Sequence, residues 1–313
     1  MNVNSKTKWK KRFNASMISL SRGVLVFGLC FIVLYPLYTR LVESVMTVAD
    51  VYDSGVNYIP KNFTWDNFKE AAKILVFPRS LWQSVLLVSV VSLVQTFSCT
   101  VVAYGFARFK FKFNKPLFLV VVLMMMIPPD MLLAPYFLEF RSFDPFGLFT
   151  LFGIDPPVLL DSYWPFILLG LTCTGLKNGL YIFIMRQYFS GIPKELEEAA
   201  YVDGAGAIRT LFRIIMPGAT AMMVTVFLFS FVWQWLDGIY TPVFCGAMDV
   251  IPSKISILAN PFSNMENVDV NYMLSGALIQ NAGIVLIISP LMLLYLFTQK
   301  FFVQSMERSG LVG

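Results

Sequence analysis

The chain has 313 residues, 57% apolar, 16% aromatic and 14% charged, with a formal net charge of +5 and no histidine. That apolar share excludes a soluble domain of this size and makes the bilayer the expected solvent. Without histidine the usual general base and the commonest metal ligand are missing, and no cluster of acids lies at membrane depth, so an embedded enzyme is disfavoured.

A span needs roughly 20 mainly apolar residues to cross the hydrocarbon core. In chain order, residues 1–21 form a basic head with Lys6, Lys8, Lys10, Lys11 and Arg12, and a first span follows at about 22–42. No A-x-A-type cleavage site follows it, so it reads as an uncleaved span rather than a secretory signal. The next link, about 43–79, contains PKNFTWDNFKEAAK between Pro60 and Pro78, an extended entry followed by a short amphipathic helix. A second span is expected at about 80–106, and a third at 116–137 whose only charge is Asp130. Between them, Arg108–Lys115 alternates Phe with Lys or Arg. Such a segment suits the inner interface, with rings in the acyl boundary and cations at the headgroups; its plainer reading is a topology signal. Pro128-Pro129 predicts a kink or break in the third span beside Asp130. Residues 138–161, rich in Asp, Pro and Gly, are expected to be irregular.

A fourth span at about 162–185 holds one charge, Lys177; a fifth lies at 216–240 and a sixth at 273–299, before a tail of 300–313. Cys30, Cys99, Cys173 and Cys245 fall in or beside spans without paired spacing and read as packing residues. No internal repeat is visible. The expected fold is therefore all-α, one polytopic membrane domain of six transmembrane helices over 22–299. Basic residues set its orientation. The head, the second-to-third link (Arg108, Lys110, Lys112, Lys115) and the fourth-to-fifth link (Arg186, Lys194, Arg209, Arg213) are rich in them. Arg141 and Lys254 stand alone in the third-to-fourth and fifth-to-sixth links. This bias places both termini in the cytoplasm, and the positive charge belongs to the membrane surface and its lipid, with no nucleic acid implied.

The fourth-to-fifth link, 190–217, is the most patterned part of the chain. Pro193 suits the first helical position, and Glu195, Glu197 and Glu198 fill the first turns, where carboxylates favour the positive end of the helix dipole. Leu196, Ala199, Ala200 and Val202 form an apolar stripe. Asp203-Gly204 stops the helix, since glycine enters the left-handed cap without a Cβ clash. Helix resumes over Ile208–Met216, and Pro217 marks entry to the fifth span.

Glu198-Ala199-Ala200, then Asp203-Gly204-Ala205, then Pro217 closely resembles the EAA loop of bacterial ABC importer permeases. Ala103-Tyr104-Gly105-Phe106-Ala107-Arg108-Phe109 and Arg186-Gln187-Tyr188-Phe189 resemble the carbohydrate-uptake branch, and the pattern is similar to the second membrane subunit of the maltose-permease type. Two features depart from it: Trp233-Gln234 where the family usually has Trp-Asn, and a tail without the Gly-rich, Lys-containing run. The resemblance implies a type I ABC importer permease fold in the bacterial inner membrane. It implies three kinds of partner: a second permease subunit, a dimer of ABC ATPases and an extracytoplasmic solute-binding protein. It also implies that Glu195, Glu198, Ala199, Ala200, Asp203, Gly204 and Pro217 form the ATPase-coupling element.

No G-x-x-x-x-G-K-[ST] phosphate loop occurs, so no cofactor is expected in this chain and ATP and magnesium are expected on the partner ATPase. Candidate substrate-path residues are the polar and aromatic groups of the spans: Asp130, Lys177, Trp233, Gln234, Asp237 and Asn281, with Trp235 and Gln280 beside them. A charge at mid-bilayer costs roughly 2.5–3.5 kcal/mol on insertion scales, so Lys177 is expected to face protein or water. The alternative to an ATP-driven importer is a stand-alone secondary transporter or channel. That would need an intramembrane array of ionisable groups, for which only Asp130 and Lys177 qualify.

Overall fold

The computed structural model describes residues 3–259 and 270–310, with side chains for 16–255, 257, 258, 271 and 273–301. Among the described residues every regular element is a helix. In chain order these are α1 (Val3–Ser44), α2 (Val48–Tyr52), α3 (Asp66–Leu75), α4 (Phe77–Arg108), α5 (Asn114–Met124) and α6 (Pro129–Arg141). A 3₁₀ turn at Pro145–Gly147 leads to α7 (Leu148–Leu151), α8 (Trp164–Leu171), α9 (Asn178–Gly191), α10 (Glu195–Val202) and α11 (Ala207–Thr210). After a π-helical turn at Leu211–Ile215 come α12 (Met216–Gly218), α13 (Thr220–Trp235), α14 (Tyr240–Phe244), α15 (Ile251–Ala259) and α16 (Val270–Gly310).

Among the described residues three helices are long and apolar enough to cross a membrane: residues 16–44, 77–108 and 273–301. Two further candidates are bent pairs, α5 with α6–α7 at 100° and α11–α12 with α13 at 78°. The first bend lies where Pro128-Pro129 predicts it: Pro128 is extended (φ −62°, ψ 134°) and cannot continue α5. The expected continuous fourth span is corrected by the structure, which breaks it into α8 and α9 at residues 172–177. Thr174 and Gly175 both donate to the Leu169 carbonyl at 3.0 Å, and Cys173 and Lys177 adopt positive φ of 57° and 61°. A Thr-Cys-Thr-Gly run holds weak helix formers, and tertiary contacts close the turn. The expected fifth span is likewise not one straight helix, because it bends before Thr220 and α13 ends at Trp235.

The chain forms two compact units, residues 1–72 with 260–286 and residues 73–259 with 287–313. In the first, residues 23–39 of α1 are apolar on all sides and the large apolar side chains from Met17 to Leu41 stand largely exposed, as for a helix whose solvent is lipid. Its far end meets a small core of Met46, Val56 and Leu278. The link after α1 is fixed by buried Asp50, which accepts from Asn62 N at 2.9 Å and Asn62 Nδ2 at 2.8 Å.

In the second unit α4 is the hub, packed against α8, α9, α13 and α15. It is ringed by other helices, so its inward face carries polar groups: Ser84, Ser92, Gln95, Thr96, Ser98 and Thr100 are all buried. Ser98 Oγ donates to the Gly170 carbonyl at 2.6 Å, Ser84 Oγ accepts from Ile251 N at 2.7 Å, and Ser230 Oγ donates to Gln95 Oε1. Such bonds join helices where apolar burial alone gives no preference over lipid. One core gathers Tyr104, Tyr181, Met185, Phe189, Leu211 and Ile215; another gathers Leu87, Phe140, Phe166 and Phe244. α9 approaches α5 closely at Gly179, where a Cβ would lie 2.8 Å from the Val121 carbonyl oxygen.

Candidate coupling element and translocation path

α10 starts where Lys194 O accepts from Glu197 N at 2.9 Å and Glu198 N at 3.0 Å. Lys194 is thus the cap and Pro193 precedes it, so the helix starts two residues later than the sequence pattern suggests, within the usual scatter of helix ends. The far end closes as expected. Gly204 takes φ +79°, Ala205 N donates to Ala200 O at 2.9 Å and Gly204 N to Tyr201 O at 3.0 Å. This pair of bonds is a Schellman cap, and its left-handed position favours glycine. The resumed helix is α11 followed by the π turn, not one regular helix over Ile208–Met216. Pro217 follows that turn and lacks the N–H a regular ladder would use. Leu211, Ile215 and Ala219 bury one face of this segment against the core of α4 and α9.

The apolar stripe expected along α10 is only partly covered. Ala200 is buried, whereas Leu196 and Val202 are 51% and 87% exposed, and Tyr201 and Ile208 are exposed as well. Glu195, Glu198, Ala199, Asp203 and Gly204 are also on the surface. The buried acid is Glu197. Its Oε1 lies 2.8 Å from Arg108 Nε, with side chains only 8% and 5% exposed. The N–H does not point along that line, so the contact is a close ion pair rather than a directed hydrogen bond. Arg108 Nη2 donates to Ile192 O at 2.7 Å. The last residue of α4 therefore grips both the entry to α10 and its first turn. The sequence marks Arg108 only as a basic residue at the end of a span; its partner lies on a distant segment and no local pattern links the two.

The second region lies at the breaks between α5 and α6 and between α8 and α9. A cavity of about 130 Å³ is lined by Met125, Pro129, Gly175, Lys177, Asn178 and Tyr240, among others. Lys177 caps α9, and its Nζ lies 4.7 Å from the centroid of the Trp233 ring. The cation is thus shared with an aromatic face. Asn178 is buried; its Nδ2 donates to Leu169 O at 3.4 Å while its Oδ1 has no partner among the described residues. Tyr240 OH donates to Pro129 O at 3.0 Å, bracing the lip of the third-span break. Asp130 is exposed in the first turn of α6.

The remaining candidates divide. Buried Asp237 accepts from Ile239 N and Tyr240 N at 3.1 Å, Thr241 N at 2.8 Å and Thr241 Oγ1 at 2.7 Å, so it fixes the start of α14. Gln234 Nε2 donates to the same Thr241 Oγ1 at 3.1 Å, and Trp235 Nε1 donates to Ile287 O at 3.1 Å. The structure thus brings Lys177 to Trp233 and Gln234 to the Asp237–Thr241 knot. Asn281 belongs to the other unit, where it accepts from Arg40 Nη1 at 2.5 Å and donates to Glu43 Oε2 at 2.7 Å. Asn178 escaped the sequence reading because the break that exposes it to a cavity is not visible in hydropathy.

The sequence model of the family described as binding-protein-dependent transport system inner membrane component matches residues 99–308. The chain belongs to that family. The match takes in both the α10 element and the cavity, so the regions built above are family regions rather than additions to it. Among similar curated proteins is an arabinooligosaccharides transport system permease protein of Halalkalibacterium halodurans, 26% identical, covering 91% of this chain and 93% of its own length. A polygalacturonan/rhamnogalacturonan transport system permease protein of Bacillus subtilis is 28% identical, with coverages of 89% and 92%. An sn-glycerol-3-phosphate transport system permease protein of Yersinia pestis is 27% identical, with coverages of 68% and 70%. The fold is shared with one chain of a bacterial ABC transporter involved in the import of the acidic polysaccharide alginate, with a TM-score of 0.70 at 21% identity, over 92% of this chain and 98% of that one. As a family member with several long apolar helices, the chain is a multi-pass protein of the inner membrane.

Proposed function

We propose that the chain is a permease subunit of an ATP-driven, binding-protein-dependent importer of a sugar or oligosaccharide. Three of the relatives and the structural neighbour handle polyhydroxylated cargo, which supports the cargo class. Six crossing segments, with the broken ones counted as crossings and both termini in the cytoplasm, make up the pathway half contributed by this chain. A second permease completes the pore, an extracytoplasmic binding protein delivers cargo, and an ABC ATPase dimer holds ATP and magnesium.

The observation that carries this reading is the state of α10. It projects exposed Leu196, Tyr201 and Val202 from a charged helix, yet it is anchored by the buried Arg108–Glu197 pair to the hub helix α4. An exposed apolar surface on a rigid mount fits a docking site for another protein. Closure of the ATPase displaces α10, and the ion pair passes that displacement to α4 and the helices around it. Broken spans beside Lys177, Asn178 and Tyr240 then supply polar backbone to a path, the one setting in which irregular backbone is tolerated at membrane depth. In this path Lys177, Trp233 and Asp130 meet cargo; Gln234 and Asp237 hold the helices that form it, while Asn281 ties α16 to α1 within the other unit.

The test is Gly204→Val in the complete transporter reconstituted in proteoliposomes. No atom lies within 4 Å of a Cβ at Gly204, so only the backbone at φ +79° is strained. ATP-driven sugar uptake is expected to fall at least about tenfold while ATP hydrolysis persists, since strain at such a site is of the order of 1–3 kcal/mol. Wild-type uptake in that variant sinks the coupling role.

A further inference from the structure

We propose that the cleft between the α4–α5 link and α10 is a binding site for the phosphodiester headgroup of an anionic lipid. The cleft has a volume of about 690 Å³. One wall is the link with Lys110, Lys112 and Lys115; the other is α10 with Lys194, Glu197, Glu198 and Tyr201. Arg108 and Glu197 neutralise each other by their ion pair, which leaves four lysines facing a single free acid, Glu198. Among the described residues no carboxylate pairs with Lys110, Lys112, Lys115 or Lys194, whereas exposed Lys61 and Lys69 each have one. An unneutralised basic cleft of this size attracts a multivalent anion.

Its location selects the source of that anion. The cleft opens between the end of α4, a helix long enough to span, and the start of apolar α5, so it lies at the level where a membrane ends. Phe109, Phe111 and Phe113 interleave with the lysines and are 46%, 44% and 59% exposed. Rings at that depth suit an acyl boundary, with the cations reaching headgroup phosphates above it. Basic pockets between membrane helices on the cytoplasmic side bind such headgroups. A soluble phosphate would use the lysines and leave the rings without a role. Lys194 caps α10, so an occupied cleft touches the coupling helix directly.

The experiment exchanges the purified chain into nanodiscs of mixed phosphatidylglycerol and phosphatidylcholine and reads retained lipid by native mass spectrometry. Enrichment of phosphatidylglycerol over phosphatidylcholine is expected in the wild type. Each lysine near the surface contributes about fivefold in lipid affinity, so Lys110→Gln/Lys194→Gln is expected to weaken retention about 25-fold. Lys61→Gln, distant in sequence and paired with Asp53, is expected to retain the wild-type value. All four cleft lysines are exposed, so the variants fold; Lys112→Gln and Lys115→Gln provide single-site repeats. No enrichment in the wild type, or equal loss in the Lys61 control, overturns the site. Displacement of the lipid by inorganic phosphate at equal concentration overturns the lipid as its source. No transport measurement enters, so the result is independent of the importer reading.

Discussion

The α10 element and the broken-span cavity are both departures from plain membrane helices, yet one is built on local chemistry and the other on tertiary contacts. In α10 the glutamates of the first turn, the Asp203-Gly204 stop and the left-handed φ of Gly204 follow from residue types acting on their own neighbours. At the cavity, Cys173 and Lys177 take positive φ without being glycine, because Gly175 and Asn178 are held against α4 and α8. As the proposed lever, α10 must keep its shape before its partner arrives, so its instructions are local. A cavity between helices, such as the proposed path, is defined only once the helices pack.

This contrast can be broken most severely at the ion pair that joins α10 to the core. Arg108→Met leaves Glu197 buried and uncompensated, a loss expected to cost about 3–5 kcal/mol, measured as a drop in thermal unfolding temperature in detergent. Arg108→Met/Glu197→Leu is expected to recover most of that stability while transport stays impaired, because the charge tether, rather than the packing, is what is lost. Recovery of transport along with stability would show that the pair is structural only.

A smaller effect is expected in the second region. Gly179→Ala places a Cβ 2.8 Å from the Val121 carbonyl and forces α9 away from α5, at a cost of about 1–3 kcal/mol in unfolding free energy. A neutral outcome would mean that the closeness at the break is not needed. The smallest effect is pH-linked and outside the spans. Asp249 is held below the ordinary carboxylate range first by its hydrogen bond to Lys254, then by the charges of Lys254 and Arg79. Its folded pKa is lowered, so its stabilisation is present at neutral pH and disappears as pH falls below about 4. Removing it by Asp249→Asn is expected to cost less than about 1 kcal/mol at neutral pH and nothing below that range.

The same contrast explains what could be read from the chain alone. The proline pair at 128–129, the short helix of the first link and the glycine cap of α10 are each written in a few adjacent residues, and each stands where the sequence places it. The break at 172–177 is invisible in the sequence because hydropathy sums side chains and is blind to backbone dihedrals; Lys177 reads as a charge in mid-helix and is a helix cap. The apolar stripe of α10 gave the correct period but not its covering, since Leu196 and Val202 face outward and Glu197 faces inward. Only Arg108, brought alongside by the fold, makes a buried Glu197 tolerable.

The most direct test places a single cysteine at Ala199 in a chain stripped of its four native cysteines, and treats the complete transporter with a short bifunctional thiol reagent. Cross-linking to the ATPase subunit, at a yield that changes on adding ATP, is the expected result, with a cysteine at Asn57 giving none. Labelling of position 199 by a membrane-impermeant thiol reagent from outside intact cells, or no cross-link under any nucleotide condition, would contradict α10 as the lever.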